Sequence, residues 1–339
     1  MKRTILVFFL ISNSIFSIGQ IPVHVDSLYS FIKRNSIHRN EVNWVNIDKG
    51  FKTKINLAKT DMDSIKSFIY VFEQLKDFHS SITYNGRQFS NYPEFDDSTL
   101  KYLIPLVNLS NQRTGSFVAK ILPENLLYLQ VPGVQAWGNN VNVYAQNLSD
   151  TLCKYILFGT TRGIVLDLRL NDGGQFTSMA SGLSLLFGEK YIGGGVNIEL
   201  NETKKFTIKN GNLWINKNQM TTVIHKKNIN LSKLPVAILI GPNTRSAGSI
   251  LAISFKGRKN TVLIGDSTAN GYSTGTDFFS YGSNLFLNLS TAYSIDRDKK
   301  VYKLSVPPDI LIRGEDDFNY IENDKKVKVA IKWLTNNSR

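Results

Sequence analysis

Cysteine is almost absent from this sequence. Cys153 is the single cysteine in 339 residues, so no disulfide within the chain can stabilise the fold. The cysteine and the four histidines also lack the ligand spacing of a metal site, and no Gly-Lys-Ser/Thr follows a glycine-rich turn, which excludes a P-loop. We therefore expect no metal and no organic cofactor. An apolar core must stabilise the chain, and Ile156 and Leu157 follow Cys153 at helical spacing, which predicts that this cysteine belongs to the core.

The N-terminal apolar run, residues 5–18, is too short to span a bilayer comfortably. It follows a basic start, and Ser17 and Gly19 place small residues at the two positions that direct cleavage. This pattern predicts a signal peptide over residues 1–19, with an uncleaved anchor as the alternative. We expect an exported protein, periplasmic or secreted, without stable membrane insertion after cleavage.

The sequence also lacks a long basic run, although its formal net charge is +13. Scattered lysines and arginines are typical of solvated faces, so nucleic acid is not an expected partner. Apolar residues make up 42% of the chain and charged residues 20%, which indicates a globular protein rather than a disordered one.

Apolar spacing divides the chain into two parts. Residues 20–91 repeat apolar side chains at helical intervals and predict a small N-terminal helical domain. Tyr92–Asn111 is less regular and is interpreted as a connector with turn residues. From Phe117 strands alternate with helices, and Val196–Val223 has the pattern of an antiparallel hairpin. We therefore predict an α/β fold in which residues 92–339 form a catalytic core with parallel strands.

A serine lies at one predicted strand-to-helix turn. The apolar run Pro235–Ile240 predicts a strand, and Gly241–Ala252 leads from it into a helix through Ser246. Such a turn exposes a hydroxyl beside the free N–H groups of a helix start, which suits a nucleophile. The alternative is that Ser246 is simply the N-cap of the helix.

A histidine ends the second helical region. His79 lies in the segment Leu75–Ser81, and imidazole is the usual base for a serine hydroxyl because its pKa lies near working pH. The alternative is a surface histidine at a helix C-terminus, where the helix dipole favours the cation.

Two adjacent glycines close a third segment. Asp167–Gly174 ends a buried strand, and Gly173 with Gly174 allows a sharp turn that aims backbone N–H groups at one point. The amide of Ala247, next to the serine, is a candidate for a second oxyanion donor. A tight turn with an asparagine cap is the alternative interpretation.

Together these segments resemble the family of C-terminal processing (tail-specific) serine peptidases. The branch they resemble most includes the tricorn core protease and the retinoid-binding repeats of the photoreceptor matrix, and the resemblance covers residues 30–335. It rests on the following residues, in the order of the family's motifs: Leu75/Asp77/His79, Asp167-Leu-Arg169 with Asn171/Gly173/Gly174, Ser246-Ala-Gly248, Gly265-Asp266-Ser-Thr268 and Pro308-Asp309.

The resemblance implies a ClpP/crotonase-like core and hydrolysis of peptide bonds in a polypeptide substrate. It implies that Ser246 is the nucleophile and His79 its general base. It also implies that the amides of Gly173 or Gly174, together with Ala247, form the oxyanion hole. The interval between His79 and the next predicted strand is too short for the PDZ module that many family members carry.

Three positions depart from the family pattern. Asn270–Tyr272 replaces the lysine of members that use a Ser-Lys dyad, Ser249 replaces an acidic residue, and Tyr302 aligns with the glutamate of the tricorn-like branch. Asp296 is therefore the candidate for the acid that orients His79. The departures keep open a catalytically inactive peptide- or lipid-binding protein on the same fold. A crotonase-type acyl-thioester enzyme is a further alternative, against which the export signal argues.

Overall fold

A computed structural model describes residues 25–136, 138–156, 160–225 and 229–337, and helices and strands occupy most of this range. The predicted signal peptide, residues 1–19, lies outside the described residues. The helices are α1 Val25–Asn35, α2 Trp44–Leu57, α3 Asp61–Lys66, α4 Phe68–Gln74, α5 Asp97–Arg113, α6 Asn140–Tyr155, α7 Phe176–Gly182, α8 Ser184–Phe187, α9 Ala247–Phe255 and α10 Lys325–Asn337. The strands are β1 Ser81–Tyr84, β2 Arg87–Ser90, β3 Val118–Leu122, β4 Leu126–Gln130, β5 Gly163–Asp167, β6 Tyr191–Val196, β7 Glu202–Lys209, β8 Asn212–Ile215, β9 Asn218–Gln219, β10 Val236–Ile240, β11 Thr261–Gly265, β12 Thr274–Tyr281, β13 Leu285–Ile295, β14 Val301–Tyr302 and β15 Ile310–Leu311.

Six of the described strands form a mostly parallel sheet in the order β15-β11-β10-β5-β4-β3. All its pairs are parallel except the hairpin of β3 and β4. Strands β4, β5 and β10 are buried along their whole length, which agrees with their continuous apolar sequences. Because β5 and β10 are parallel neighbours, the turns that follow them meet at the same edge of the sheet.

Nine described strands form an antiparallel sheet in the order β2-β1-β13-β6-β7-β8-β9, with β12 and β14 also paired to β13. Strand β13 pairs with four other strands of this sheet, β1, β6, β12 and β14. Leu285, Leu287 and Leu289 on β13 pack in one apolar cluster with the helices α1 to α4, which attaches the N-terminal part of the chain to this sheet.

Two further clusters cover the parallel sheet. One contains Leu148 of α6, Met179 of α7 and Leu251 of α9, and the partly buried Cys153 packs against it. The other contains Val327 and Leu334 of α10, on the opposite side of the same strands. The predicted α/β class with N-terminal helices is confirmed.

The structure differs from the sequence-based expectation in two places. Residues 81–90 form the hairpin β1-β2 rather than continuing the helical region, and the predicted connector Tyr92–Asn111 largely forms α5. Helix α5 was missed because it buries little apolar surface, Leu106 being its buried apolar residue, and because it contains Pro105. Among the described residues, no helix combines the length and apolar character needed to cross a membrane.

Candidate active site

Ser246 occupies the turn between β10 and α9 in an unusual backbone conformation. Its φ of 54° and ψ of −124° lie outside the common regions for a residue with a side chain. Its hydroxyl makes no capping hydrogen bond with the helix. Instead, Oγ lies 2.8 Å from Nε2 of His79. The N-cap alternative is therefore not what this side chain does.

His79 reaches the serine from the short segment between α4 and β1. The carboxylate of Asp77 holds this segment in place by accepting the backbone N–H groups of His79 and Ser80, each at 2.9 Å. Strand β1 then pairs with β13. The imidazole thus comes from the antiparallel sheet and the serine from the parallel one.

The second ring nitrogen of His79 contacts a threonine. Nδ1 lies 2.9 Å from Oγ1 of Thr274, which lies 3.2 Å from Oγ of Ser290. The Ser290 hydroxyl in turn donates to Oδ1 of Asp77 at 3.0 Å. Thr274 and Ser290 were missed from the sequence, because their proximity depends on the pairing of β12 with β13.

Asp296, the predicted orienting acid, is used elsewhere, which is a correction to the sequence-based assignment. Its Oδ1 accepts the backbone N–H groups of Asp298 and Lys300, and its Oδ2 accepts the hydroxyl of Tyr302 at 2.9 Å. Strand β13 passes the site at Ser290, and six further residues carry the chain roughly 20 Å onward at about 3.3 Å per residue. Asp296 therefore stabilises the turn between β13 and β14.

The double-glycine turn lies directly against the serine. Gly173 and Gly174 have φ values of 118° and 94°, and a Cβ added at Gly173 would lie 2.8 Å from Cβ of Ser246. The Gly173 N–H is bound to the side chain of Asn171 at 3.2 Å. Within the described part of the chain, no acceptor contacts the N–H of Gly174 or Ala247. These two amides are thus the pair available to hold an anion beside Ser246.

Burial keeps His79 neutral. The pKa of its imidazole is lowered from 6.5 to about 4, with desolvation as the largest cause and the positive charge of Arg245 as a smaller one. The negative charge of Asp77 and a backbone hydrogen bond with Thr274 act in the opposite direction. A neutral imidazole at pH 7 can accept a proton from the hydroxyl that faces it.

A cavity of about 710 Å³ opens onto Ser246 and His79. Its wall combines the double-glycine turn, the edge of β12 and a set of aromatic side chains. The aromatic residues that line it are Phe78, Tyr92, Phe176, Phe206, Tyr272 and Phe278. Among the residues that the structure describes, no group of three or more His, Cys, Asp or Glu side chains is placed to hold a metal ion.

Comparison with known proteins places this geometry in a family. A nisin-resistance protein from Lactococcus lactis subsp. lactis is 30% identical over 211 residues, which are 62% of this chain and 60% of that relative's length. A lipoprotein structure from Streptococcus agalactiae is 20% identical, with a TM-score of 0.69, and the match covers 95% of this chain and 99% of that one. A structure described as a putative peptidase from Parabacteroides merdae is 15% identical, with a TM-score of 0.55, and covers 90% and 91%.

The two structures show that the whole described fold recurs in other proteins. The sequence pattern of peptidase family S41 matches residues 125–312, a segment that includes the double-glycine turn, Ser246 and Thr274. Members of this family are serine-type hydrolases, and the predicted resemblance is confirmed. The chain belongs to peptidase family S41.

Proposed function

We propose that this protein is an exported serine peptidase in which Ser246 is the nucleophile and His79 the general base. The observation that carries the proposal is the 2.8 Å contact between Ser246 Oγ and His79 Nε2 beside two unbound amides. The neutral state of His79, whose pKa is lowered to about 4, supports its role as the base.

The reaction proceeds by acyl transfer. Ser246 Oγ forms a bond to the scissile carbonyl carbon while His79 Nε2 takes the hydroxyl proton. The carbonyl electron pair moves onto oxygen, which the amides of Gly174 and Ala247 stabilise. Collapse of this intermediate breaks the C–N bond, and His79 returns the proton to the leaving amine. Water then hydrolyses the acyl-enzyme by the same route.

The substrate proposed for this site is an extended segment of polypeptide. The cavity of about 710 Å³ has room for several side chains, and its aromatic lining provides apolar surface for them. The relative described as a nisin-resistance protein makes nisin a sensible first peptide to test.

Cleavage of peptides in a defined mixture tests the function. We expect the protein to generate discrete products, detected by mass spectrometry, from nisin or from a library of apolar peptides. Ser246→Ala and His79→Ala should each abolish these products. His225→Ala is the matched control, because His225 also contacts serine hydroxyls, those of Ser149 and Ser184, but lies in another part of the fold. Products that persist in Ser246→Ala would contradict the proposal.

Export is proposed from the N-terminal pattern, and the description of a structural relative as a lipoprotein is compatible with it. N-terminal sequencing of protein recovered from outside the cytoplasm should begin at Gln20. Recovery of the chain in the cytoplasm with residues 1–19 intact would contradict this part of the proposal.

A further inference from the structure

A buried chain of hydroxyl groups connects the candidate base to a carboxylate that does not touch it. Thr274 and Ser290 are fully buried, and Asp77 is 1% exposed, so water does not compete for these hydrogen bonds. This series of hydrogen bonds runs from His79 Nδ1 to Thr274 Oγ1, then to Ser290 Oγ, and ends at Asp77 Oδ1. Each of these three contacts is between 2.9 and 3.2 Å.

The carboxylate of Asp77 determines which group donates and which accepts in each of these hydrogen bonds. Asp77 accepts two backbone N–H groups through Oδ1 and the Ser80 hydroxyl through Oδ2, the pattern of an ionised carboxylate that only accepts. The Ser290 hydroxyl therefore donates its single proton to a hydrogen bond with Asp77. Thr274 must then donate to Ser290, which leaves its oxygen to accept from His79.

This proton count determines the tautomer of the imidazole. Nδ1 carries the proton that Thr274 accepts, so Nε2 presents a lone pair to the hydroxyl of Ser246. With the opposite tautomer, Nε2 would be a donor and unable to take the serine proton.

We propose that Thr274 is the positioning residue of this site, and that Thr274 and Ser290 together relay the orienting effect of Asp77 to His79. The proposal rests on the function proposed above for Ser246 and His79, and it assigns the orienting role that Asp296 does not fill. During attack the proton passes from Ser246 to Nε2, Nδ1 keeps its own proton, and Asp77 stays ionised. The relay therefore stabilises the imidazolium through oriented dipoles, without transferring a proton.

Two other charged or titratable groups face His79. The guanidinium of Arg245 opposes the imidazolium, and the ring of Tyr272 contacts the imidazole edge-on with centroids 5.4 Å apart. Neither accepts the Nδ1 proton in the described structure, so Thr274 remains the residue that can set the tautomer, through its hydroxyl and through the backbone hydrogen bond that raises the pKa of His79.

The test compares Thr274→Val, which removes the hydroxyl at nearly constant shape, with Thr274→Ser, which keeps it. The rate of Ser246 labelling by a fluorophosphonate probe should fall about 10- to 100-fold in Thr274→Val, as expected when a base is misoriented. It should stay near the wild-type rate in Thr274→Ser. Thr221→Val is the matched control, since Thr221 is also buried and bonded to a serine hydroxyl, that of Ser181, away from the cavity. It should label at the wild-type rate.

Nitrogen-15 NMR of the histidines provides a readout that does not depend on activity. His79 should be protonated at Nδ1 in the wild-type protein and in Thr274→Ser, and should lose this preference in Thr274→Val. In Asp77→Asn, the amide oxygen keeps the position of Oδ1, where it accepts the N–H groups of His79 and Ser80 and the Ser290 hydroxyl. The Nδ1 tautomer should therefore persist, whereas labelling should slow because the negative charge is lost. Ser290→Ala removes the group that accepts the Thr274 proton, so Thr274 need no longer accept from His79 and the preference for Nδ1 should weaken.

The two readouts separate the possible failures. A wild-type protein that is not labelled but has His79 protonated at Nδ1 would overturn the proposed peptidase function and support the hydrogen-bond relay. Unchanged labelling together with an unchanged tautomer in Thr274→Val would overturn the relay while leaving the peptidase function intact.

Discussion

At the scale of single residues, the site depends on a strained serine and an unsubstituted glycine beside it. Ser246 adopts a φ of 54°, which aims its hydroxyl away from the helix it precedes and toward His79. Gly173 lies so close that a side chain there would touch Ser246. Backbone strain at such a position persists because the surrounding structure imposes it.

Gly173→Ala is therefore expected to misplace the serine. The added Cβ would lie 2.8 Å from Cβ of Ser246, and the backbone φ of 118° is unfavourable for alanine. We predict a loss of probe labelling of about 100-fold, measured as a rate. Gly115→Ala separates the two effects, because Gly115 also has a positive φ of 76° but open space around it. It should lower the free energy of unfolding by about 1 kcal/mol and leave labelling unchanged. Equal labelling rates in both variants would contradict the prediction.

The lowered pKa of His79 predicts activity well below neutral pH. His79 takes up a proton near pH 4 in the folded protein instead of near 6.5, so labelling should decline as the pH approaches about 4. The unfolded chain binds this proton first, so His79 also makes folding less favourable as the pH falls from 6.5 to about 4. A labelling profile with its midpoint near pH 6.5 would contradict this prediction.

Arg245→Gln tests the cause of part of this shift. The positive charge of Arg245 lowers the pKa of His79, so removing it should move the acid limb of the labelling profile to higher pH. Arg39→Gln, at a surface ion pair with Glu199, is the control and should leave the midpoint unchanged. A midpoint that stays constant in Arg245→Gln would contradict the contribution of Arg245 to this shift.

At the scale of elements, two parallel strand ends bring the oxyanion turn and the serine together. The apolar sequences of β5 and β10 predicted two buried strands, and their pairing places the turns that follow them at one edge. The sequence could not predict the relay, because Thr274 and Ser290 meet through the register of β12 on β13, with a shift between Gly275 and Thr276. A short apolar pattern does not determine such a register.

A buried ionic cluster attaches the C-terminal helix α10 to the end of β5. Arg169 is 1% exposed and pairs with Asp167, Asp316 and Asp324, whose side chains are also buried. Asp324 additionally accepts the N–H groups of the first turn of α10. The family motif that contains Arg169 thus has a structural role just before the double-glycine turn.

Arg169→Met should therefore destabilise the protein strongly. It leaves the buried carboxylates of Asp167 and Asp324 without their cation, while Asp316 keeps its pair with Lys326. Breaking a buried pair costs about 3–5 kcal/mol in the free energy of unfolding. Lys120→Met is the control, because its pair with Glu322 is half-exposed and should cost no more than about 1 kcal/mol. Urea denaturation measures both. Similar losses in the two variants would contradict the proposed role of the cluster.

At the scale of the whole molecule, the site joins parts of the chain that are far apart in sequence. His79 follows the N-terminal helices, which pack on β13, whereas Ser246 follows a strand of the parallel sheet. The order of motifs predicted both residues, since each has a recognisable local sequence. Asp296 was a poor candidate because sequence distance gave no information on where β13 would carry it. The proposed orienting residue, Thr274, instead depends on the pairing of β12 with β13 within the antiparallel sheet.

Fluorophosphonate labelling of the folded protein, with the modified residue mapped by mass spectrometry, tests the central claim most directly. We predict that the probe modifies Ser246 in the wild-type protein and that His79→Ala lowers the rate by several orders of magnitude. Ser254→Ala, a buried serine later in α9 whose hydroxyl donates to Ile250, should label normally. Modification of a different serine, or labelling of Ser246 that does not depend on His79, would contradict the account.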